Sequence, residues 1–153
     1  MSQQLITSLN QCLANSFELY SRAHGFHWNI EGFQFPLYHD FFGDIYTEIY
    51  SAIDPLAEEI RAAGGYAIFG TSAFSKTNML PDSKNQTGTD VKSMLNELDM
   101  CNEIVLKCLN ASFKIAESEG AQGLMDFLAG RIDAHKKHSW IDRKSTRLNS
   151  SHT

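Results

Sequence analysis

The sequence lacks the features of a membrane or secreted protein. It contains no stretch of about 18 or more consecutive apolar residues, the length that a membrane-spanning helix needs. Its first residues, MSQQLITSLNQ, have neither the basic start nor the apolar run of a secretory signal. We therefore expect a protein that acts in the cytoplasm and has no membrane partner.

Cysteine is scarce and does not form a motif. Cys12, Cys101 and Cys108 are the only three, and no two of them make a CxxC pair. An odd number at these spacings disfavours a disulfide framework and is typical of reduced thiols in a cytosol-like compartment.

Positive charge is also limited. Lys and Arg total 13 against 18 for Asp and Glu, so the formal net charge is −5. Non-specific binding to nucleic acid requires bases that neutralise phosphates. The balance disfavours such binding and suits a surface that attracts cations.

What the chain does contain is helical periodicity. Its 153 residues are enough for one domain with a substantial core. Apolar residues recur at steps of three and four from Gln4 to Ile30, and again from Pro36 to Ala63, where the Gly64-Gly65 pair supplies a stop. Pro55 falls inside the second pattern and should kink that helix.

The second half repeats this plan after a long connection. Residues 66–89 show no sustained period, so we expect a crossover with a short helix. Thr89 or Asp90 is placed to cap a third helix that ends at Gly120, and a fourth helix is predicted from Gln122 to about Trp140. The pattern predicts an all-α protein, a four-helix bundle with a long crossover between helices 2 and 3.

The end of the chain changes character. After Ile141 the segment DRKSTRLNSSHT loses its apolar period and becomes polar and basic. We predict one folded domain over residues 1–141 and a disordered tail over 142–153. The abrupt change also raises the hypothesis that the tail is a cloning or sequencing-adaptor remnant.

Four residues have the chemistry of an iron site, because iron accepts both imidazole and carboxylate ligands. They are His27, His39, Asp54 and Glu58. Asp54 and Glu58 are four residues apart and so share one helix face. Acidic pairs at this spacing are also common on solvated faces, which is the alternative interpretation.

Spacing places these residues on two different chains. His39 lies fifteen residues before Asp54, which puts both on one side of the helix but about 22 Å apart along it. If two copies pack their second helices antiparallel about a two-fold axis, the histidine end of one copy meets the acidic end of the other. The sequence has no Glu-x-x-His pair, which a site inside one bundle would use.

The stretch HGFHWNIEGFQFPLYHDFFGDIYTEIYSAIDPLAEEI resembles the signature of the Dps family, the mini-ferritins of the ferritin-like superfamily. It contains His-Trp-Asn, a histidine twelve residues after the first, and a later Asp-x-x-Ala-Glu. The resemblance covers the first two helices closely and the remainder by architecture. It implies a ferritin-like bundle, a homododecameric shell, and iron as the bound metal, with zinc as a substitute.

The resemblance also assigns roles to residues. His27 and His39 would be nitrogen ligands from one subunit, with Asp54 as an oxygen ligand and Glu58 as a bridging ligand from its two-fold partner. Trp28 would lie beside the metal, either as an electron donor during oxidation by peroxide or as an interface aromatic. The acidic residue that the family commonly has four positions after the second histidine is Gly43 here, which leaves open one or two metals per site.

The resemblance implies a ferroxidase that oxidises Fe²⁺ with hydrogen peroxide or oxygen and stores ferric iron. Two alternatives remain. One is DNA compaction, which is doubtful because the start of the chain has no Lys or Arg. The other is a catalytically weak structural shell, for which Gly43 and Pro55 are the support.

Overall fold

The computed structural model describes residues 2–87 and 90–151, with side chains as far as Ser145. Within these residues there are six helices and no strand, and none of the helices is both long and apolar enough to span a membrane. The helices are α1 (Gln3–Asn29), α2 (Phe35–Ser51), α3 (Ile53–Ala62), α4 (Thr71–Thr77), α5 (Val91–Ser118) and α6 (Gln122–Ser151). The predicted all-α bundle is confirmed.

The long helices form two antiparallel hairpins. Ring contacts between α1 and α2 run from Phe26–Phe42 to Tyr20–Tyr46, so the two helices have opposite directions. The α5–α6 turn is made by Gly120 with a φ of 68°, a left-handed conformation that favours glycine. Because α2 and α5 run the same way, a long crossover must connect them.

An apolar core fills the space between the helices. The largest fully buried side chains come from α1, α2, α3 and α5, together with the α1–α2 connection; they are Phe42, Leu5, Leu9, Leu13, Leu19, Ile30, Ile49, Ile60, Met94, Leu95, Leu98 and Leu109. Most of these positions lie on the stripes predicted from the sequence, because helical periodicity directs one face of each helix inwards.

Buried polar side chains of α1 hold the crossover in place. Asn10 donates to the carbonyl of Tyr66 and accepts from the backbone N–H of Ile68, each at 3.0 Å. Asn15 accepts from the N–H of Met79 at 2.7 Å. These bonds replace water for backbone groups that the bundle would otherwise bury unpaired. The predicted short helix of the crossover is α4.

The predicted second helix is divided into α2 and α3. The helix ends at Ser51, and the N–H of Ala52 bonds to the carbonyls of Ile49 and Tyr50 before α3 begins. Pro55 has no N–H to offer the carbonyl four residues earlier, which accounts for the break. The helix is thus interrupted close to this proline, as its missing N–H leads one to expect, and the acidic pair belongs to α3.

The predicted disordered tail differs from the structure. The fourth helix was expected to end near Trp140, but α6 continues through Ser151. Asp142 is buried, and Arg143 pairs with Asp99 and Glu103 of α5, so contacts with α5 extend the helix where apolar periodicity has stopped. The boundary at residue 142 is corrected accordingly; residues 152–153 lie outside the described residues, and the hypothesis of a foreign segment stays a prediction.

Candidate metal centre

The two predicted histidine ligands lie side by side where α1 ends and α2 begins. His27 is in the last turn of α1 and His39 is in α2. Their rings are stacked, with centroids 3.7 Å apart and an interplanar angle of 19°. The antiparallel hairpin thus brings together two imidazoles that are twelve residues apart in the sequence.

Reciprocal hydrogen bonds fix the orientation of both rings. Nδ1 of His27 bonds to the carbonyl of His39, and Nδ1 of His39 bonds to the carbonyl of His27, each at 2.7 Å. A carbonyl only accepts, so each Nδ1 carries a proton, and the neutral tautomer with this bond has its lone pair on Nε2. A histidine that binds a metal typically donates its other ring N–H in this way.

The two predicted carboxylate ligands are exposed on α3. Asp54 is in the first turn and Glu58 lies one turn later. A hydrogen bond between the two side chains, reinforced by the charge of Asp54, raises the pKa of Glu58. The two carboxyl groups therefore interact with each other on one face of α3.

One chain does not bring the two pairs together. Among the described residues, no group of three or more His, Cys, Asp or Glu side chains could hold a metal ion. The observation agrees with the separation of about 22 Å expected from helix geometry. The contact between copies that would join the pairs stays a prediction.

His24 and Trp28 form part of an aromatic cluster beside the histidine pair. Trp28 is exposed and lies 4.1 Å, centroid to centroid, from His24, which in turn stacks on Tyr46 at 3.9 Å. His24 also bonds to the hydroxyl of Tyr20 at 2.9 Å. Tyr20 thus engages Nδ1 of His24, and partial burial and the neighbouring His27 lower the pKa of His24.

Gly43 faces the histidine pair. A Cβ at this position would lie 3.2 Å from Nδ1 and 3.3 Å from Cε1 of His27. A side chain at this position would therefore contact the His27 ring, and the glycine leaves that side of His27 open.

Comparisons with known proteins identify the family of this chain. A model of the ferritin-like domain matches residues 6–145. The chain is 32% identical to the DNA protection during starvation protein of Brevibacillus brevis, an alignment that covers 91% of this chain and 93% of that one. It is 29% identical to DNA protection during starvation protein 2 of Bacillus anthracis, over 94% and 97% of the two chains.

The chain belongs to the Dps family of ferritin-like proteins.

A solved structure of a family member gives the same fold. The Dps protein of Vibrio cholerae O1, described as a member of a broad superfamily of ferritin-like diiron-carboxylate proteins, superimposes with a TM-score of 0.87. The two are 27% identical, over 93% of this chain and 88% of that one. The backbone that positions the two histidines and two carboxylates is therefore that of a Dps subunit.

This Dps chain has a second histidine pair, whose surroundings the sequence did not reveal. It consists of His135 and His138 of α6, both of which are buried. His135 donates from Nδ1 to Asn102 at 2.7 Å and accepts from Arg131 at 3.1 Å, while His138 donates from Nε2 to Glu48 at 2.7 Å. The sequence feature that could have revealed this network is the spacing of residues 131, 135 and 138, which puts three polar residues on one helix face.

Glu48 is the centre of this network. It accepts two hydrogen bonds from Arg131, at 2.6 and 3.1 Å, besides the one from His138. Burial opposes ionisation of Glu48, but the bonds from His138 and Arg131 outweigh it and hold the pKa of the carboxyl well below its usual range. Burial lowers the pKa of His135 strongly, which keeps that ring neutral.

Proposed function

We propose that this Dps-family protein is a ferroxidase that stores iron. Two copies pack about a two-fold axis, and His27 and His39 of one subunit bind Fe²⁺ together with Asp54 and Glu58 of the partner subunit. The pairs assemble into a dodecameric shell in the cytoplasm, where hydrogen peroxide or oxygen accepts the electrons and ferric iron collects inside. The observation that carries the proposal is the reciprocal bonding of the two histidines.

The histidines support a site that is prepared before iron arrives. Each Nδ1–H is held by a backbone carbonyl at 2.7 Å, and within the described residues neither Nε2 has a hydrogen-bond partner. Fixing the rings in advance reduces the entropy lost when a ligand is ordered. Imidazole nitrogen suits iron and also zinc, which makes zinc an alternative occupant.

The carboxylates support a cation site by their charge and spacing. Asp54 and Glu58 lie four residues apart on α3, and both are exposed. A divalent cation bound by both groups would favour their ionised forms. Negatively charged oxygen ligands also stabilise Fe³⁺ more than Fe²⁺, so the product of oxidation is favoured.

Exposed apolar side chains of α1, α2 and their connection support burial against a second copy. Trp28, Phe33, Leu37 and Tyr50 are more than half exposed in the single chain. Burying such side chains against another protein removes apolar surface from water, which favours association. At a two-fold contact each copy contributes the same residues, and Trp28 would then donate an electron or pack at the interface.

Mixed assemblies test the shared site. We would produce His39→Ala and Glu58→Ala proteins separately and by co-expression, then follow ferric iron formation by absorbance. In a dimer of one subunit of each kind, one site has lost both contributions and the other is intact. We expect each variant alone to be inactive and the random mixture to recover about a quarter of the wild-type activity.

Two results would contradict the proposal. If both variants oxidise iron at the wild-type rate, these residues do not form the centre and only the structural shell remains. If both are inactive but the mixture recovers nothing, the site is not divided between two subunits. Size measurement of every preparation controls for assembly.

A further inference from the structure

Two of the three cysteines touch in the middle of the bundle. Cys12 of α1 and Cys108 of α5 are free thiols, and their Sγ atoms lie 3.1 Å apart with the S–H of Cys12 donating to Cys108. Both are buried. A disulfide bond is about 2.05 Å long, so the two sulfur atoms need to approach by only roughly 1 Å to be joined.

The spacing fits a disulfide better than a metal site. Two thiolates that bind one tetrahedral zinc ion at about 2.3 Å are separated by roughly 3.8 Å, more than these sulfurs are. No group of three or more metal-ligating side chains occurs in the described part of the chain. The pair is therefore arranged for sulfur–sulfur chemistry.

Polar groups surround the pair inside an otherwise apolar core. The hydroxyl of Ser112 lies 3.2 Å from Sγ of Cys12 and 2.6 Å from the hydroxyl of Ser8. Asn15 is fully buried, and its Nδ2 makes no hydrogen bond to any described residue. An unpaired buried amide is costly, and this one lies near Cys108, where it can donate to a sulfur anion.

These neighbours shift the pKa values of the two thiols in opposite directions. The hydrogen bond from Cys12 is the main cause that lowers the pKa of Cys108, and Asn15 acts in the same direction against the effect of burial. The same bond and burial raise the pKa of Cys12. Cys108 is thus the sulfur that more readily becomes the reactive thiolate.

We propose that Cys12 and Cys108 form a peroxide-oxidised disulfide that links α1 to α5 within one chain. The thiolate of Cys108 attacks one oxygen of hydrogen peroxide, the O–O bond breaks, and a sulfenic acid and water result once a proton is taken up. Sγ of Cys12 then attacks the sulfenic sulfur, the S–O bond breaks, and hydroxide leaves with the Cys12 proton as water. Two thiols and one peroxide give one disulfide and two waters.

Cys101 provides an internal control. It is also buried, but its sulfur accepts from Nη1 of Arg22 at 3.2 Å instead of touching another cysteine. Burial raises the pKa of Cys101 to about 11. A buried thiol without a partner sulfur is expected to stay reduced.

The test uses the assembled, iron-free protein and hydrogen peroxide, so it is independent of iron oxidation. After treatment the protein is denatured with a maleimide that labels free thiols, and its peptides are mapped by mass spectrometry. We expect two of three thiols to be lost, a Cys12–Cys108 link within one chain, and a labelled Cys101. The link should raise the thermal midpoint, because it joins residues 96 positions apart, and dithiothreitol should reverse the rise.

Variants sharpen the test. Cys101→Ser should form the same link, whereas Cys12→Ser should form none and its midpoint should not rise with peroxide. Retention of all three thiols in the wild type, equal oxidation of Cys101, or oxidation of Cys12 and Cys108 to acids without a link would each overturn the proposal. Mapping of the wild type and Cys101→Ser decides the matter even if Cys12→Ser fails to fold.

Discussion

The protein has two histidine pairs, and they differ in what their ring nitrogens bond to. His27 and His39 each bond through Nδ1 to a carbonyl and leave Nε2 open at a partly exposed surface. His135 and His138 direct their Nε2 atoms to Arg131 and Glu48 in the interior. Residue type alone does not distinguish the two pairs, whereas the hydrogen-bond partner of each ring nitrogen does.

The largest contrast should be in iron oxidation. His27→Ala removes a proposed ligand, and we expect the rate to fall by about 100-fold or more, since loss of groups that merely orient ligands already costs up to about that factor. His138→Ala is the matched control and should oxidise iron normally with lower stability. Stopped-flow absorbance measures the oxidation rates of both variants. Equal losses of rate would contradict the proposed difference between the two histidine pairs.

The structural pair should instead control stability. Glu48→Gln weakens the bonds from Arg131 and His138, and we expect the free energy of unfolding to fall by about 2 kcal/mol. The expected loss of free energy is smaller than for a fully buried ion pair because the side chain of Glu48 is 36% exposed. Chemical denaturation measures the free energy of unfolding. We expect the rate of iron oxidation by this variant to be unchanged.

An exposed ion pair gives the control for that prediction. Asp133→Asn breaks the contact with Lys137, in which both side chains are about 70% exposed, and should cost less than about 0.5 kcal/mol. A loss as large as that of Glu48→Gln would mean that burial of the network contributes nothing.

Two buried groups of α6 should give opposite pH dependences. The pKa of His135 is lowered in the folded protein, so its stabilisation is present above about 6.5 and is lost as the pH falls. Burial raises the pKa of Asp142 to about 8, so its stabilisation is lost as the pH rises towards that value. Between pH 5 and 6 the two contributions oppose each other.

Single variants should separate these contributions. With Asp142→Asn the free energy of unfolding should increase with pH across this window, by up to about 1.4 kcal/mol per unit, and with His135→Gln it should decrease. Denaturant titrations of iron-free protein at several pH values measure the slopes. Parallel curves for both variants would refute the assignment.

Gly43 should produce the smallest effect. Gly43→Ala places a Cβ about 3.2 Å from the His27 ring, so the ring must shift and we expect iron oxidation to slow by roughly two- to tenfold. Gly130→Ala, also inside a helix but with open space around it, should raise stability by up to about 1 kcal/mol without changing the rate. Identical rates in both variants would show that His27 tolerates the added methyl group.

For a physical reason, the sequence could suggest the candidate centre but not the buried network. The residues proposed for the centre are close in sequence, and helix geometry relates Asp54 to Glu58 and separates His39 from them. The network joins Glu48 of α2 to Asn102 of α5 and Arg131 of α6. Such contacts depend on how whole helices pack, which periodicity does not specify.

The sequence by itself determined the helices, their apolar faces and the interruption near Pro55, and it supplied the residues proposed for the candidate centre, because these follow from local propensity and spacing. Only the tertiary structure decided that the histidines bond reciprocally, that Cys12 meets Cys108, and that α6 continues past Ile141. Each of these depends on side chains from different helices, where packing overrides local pattern.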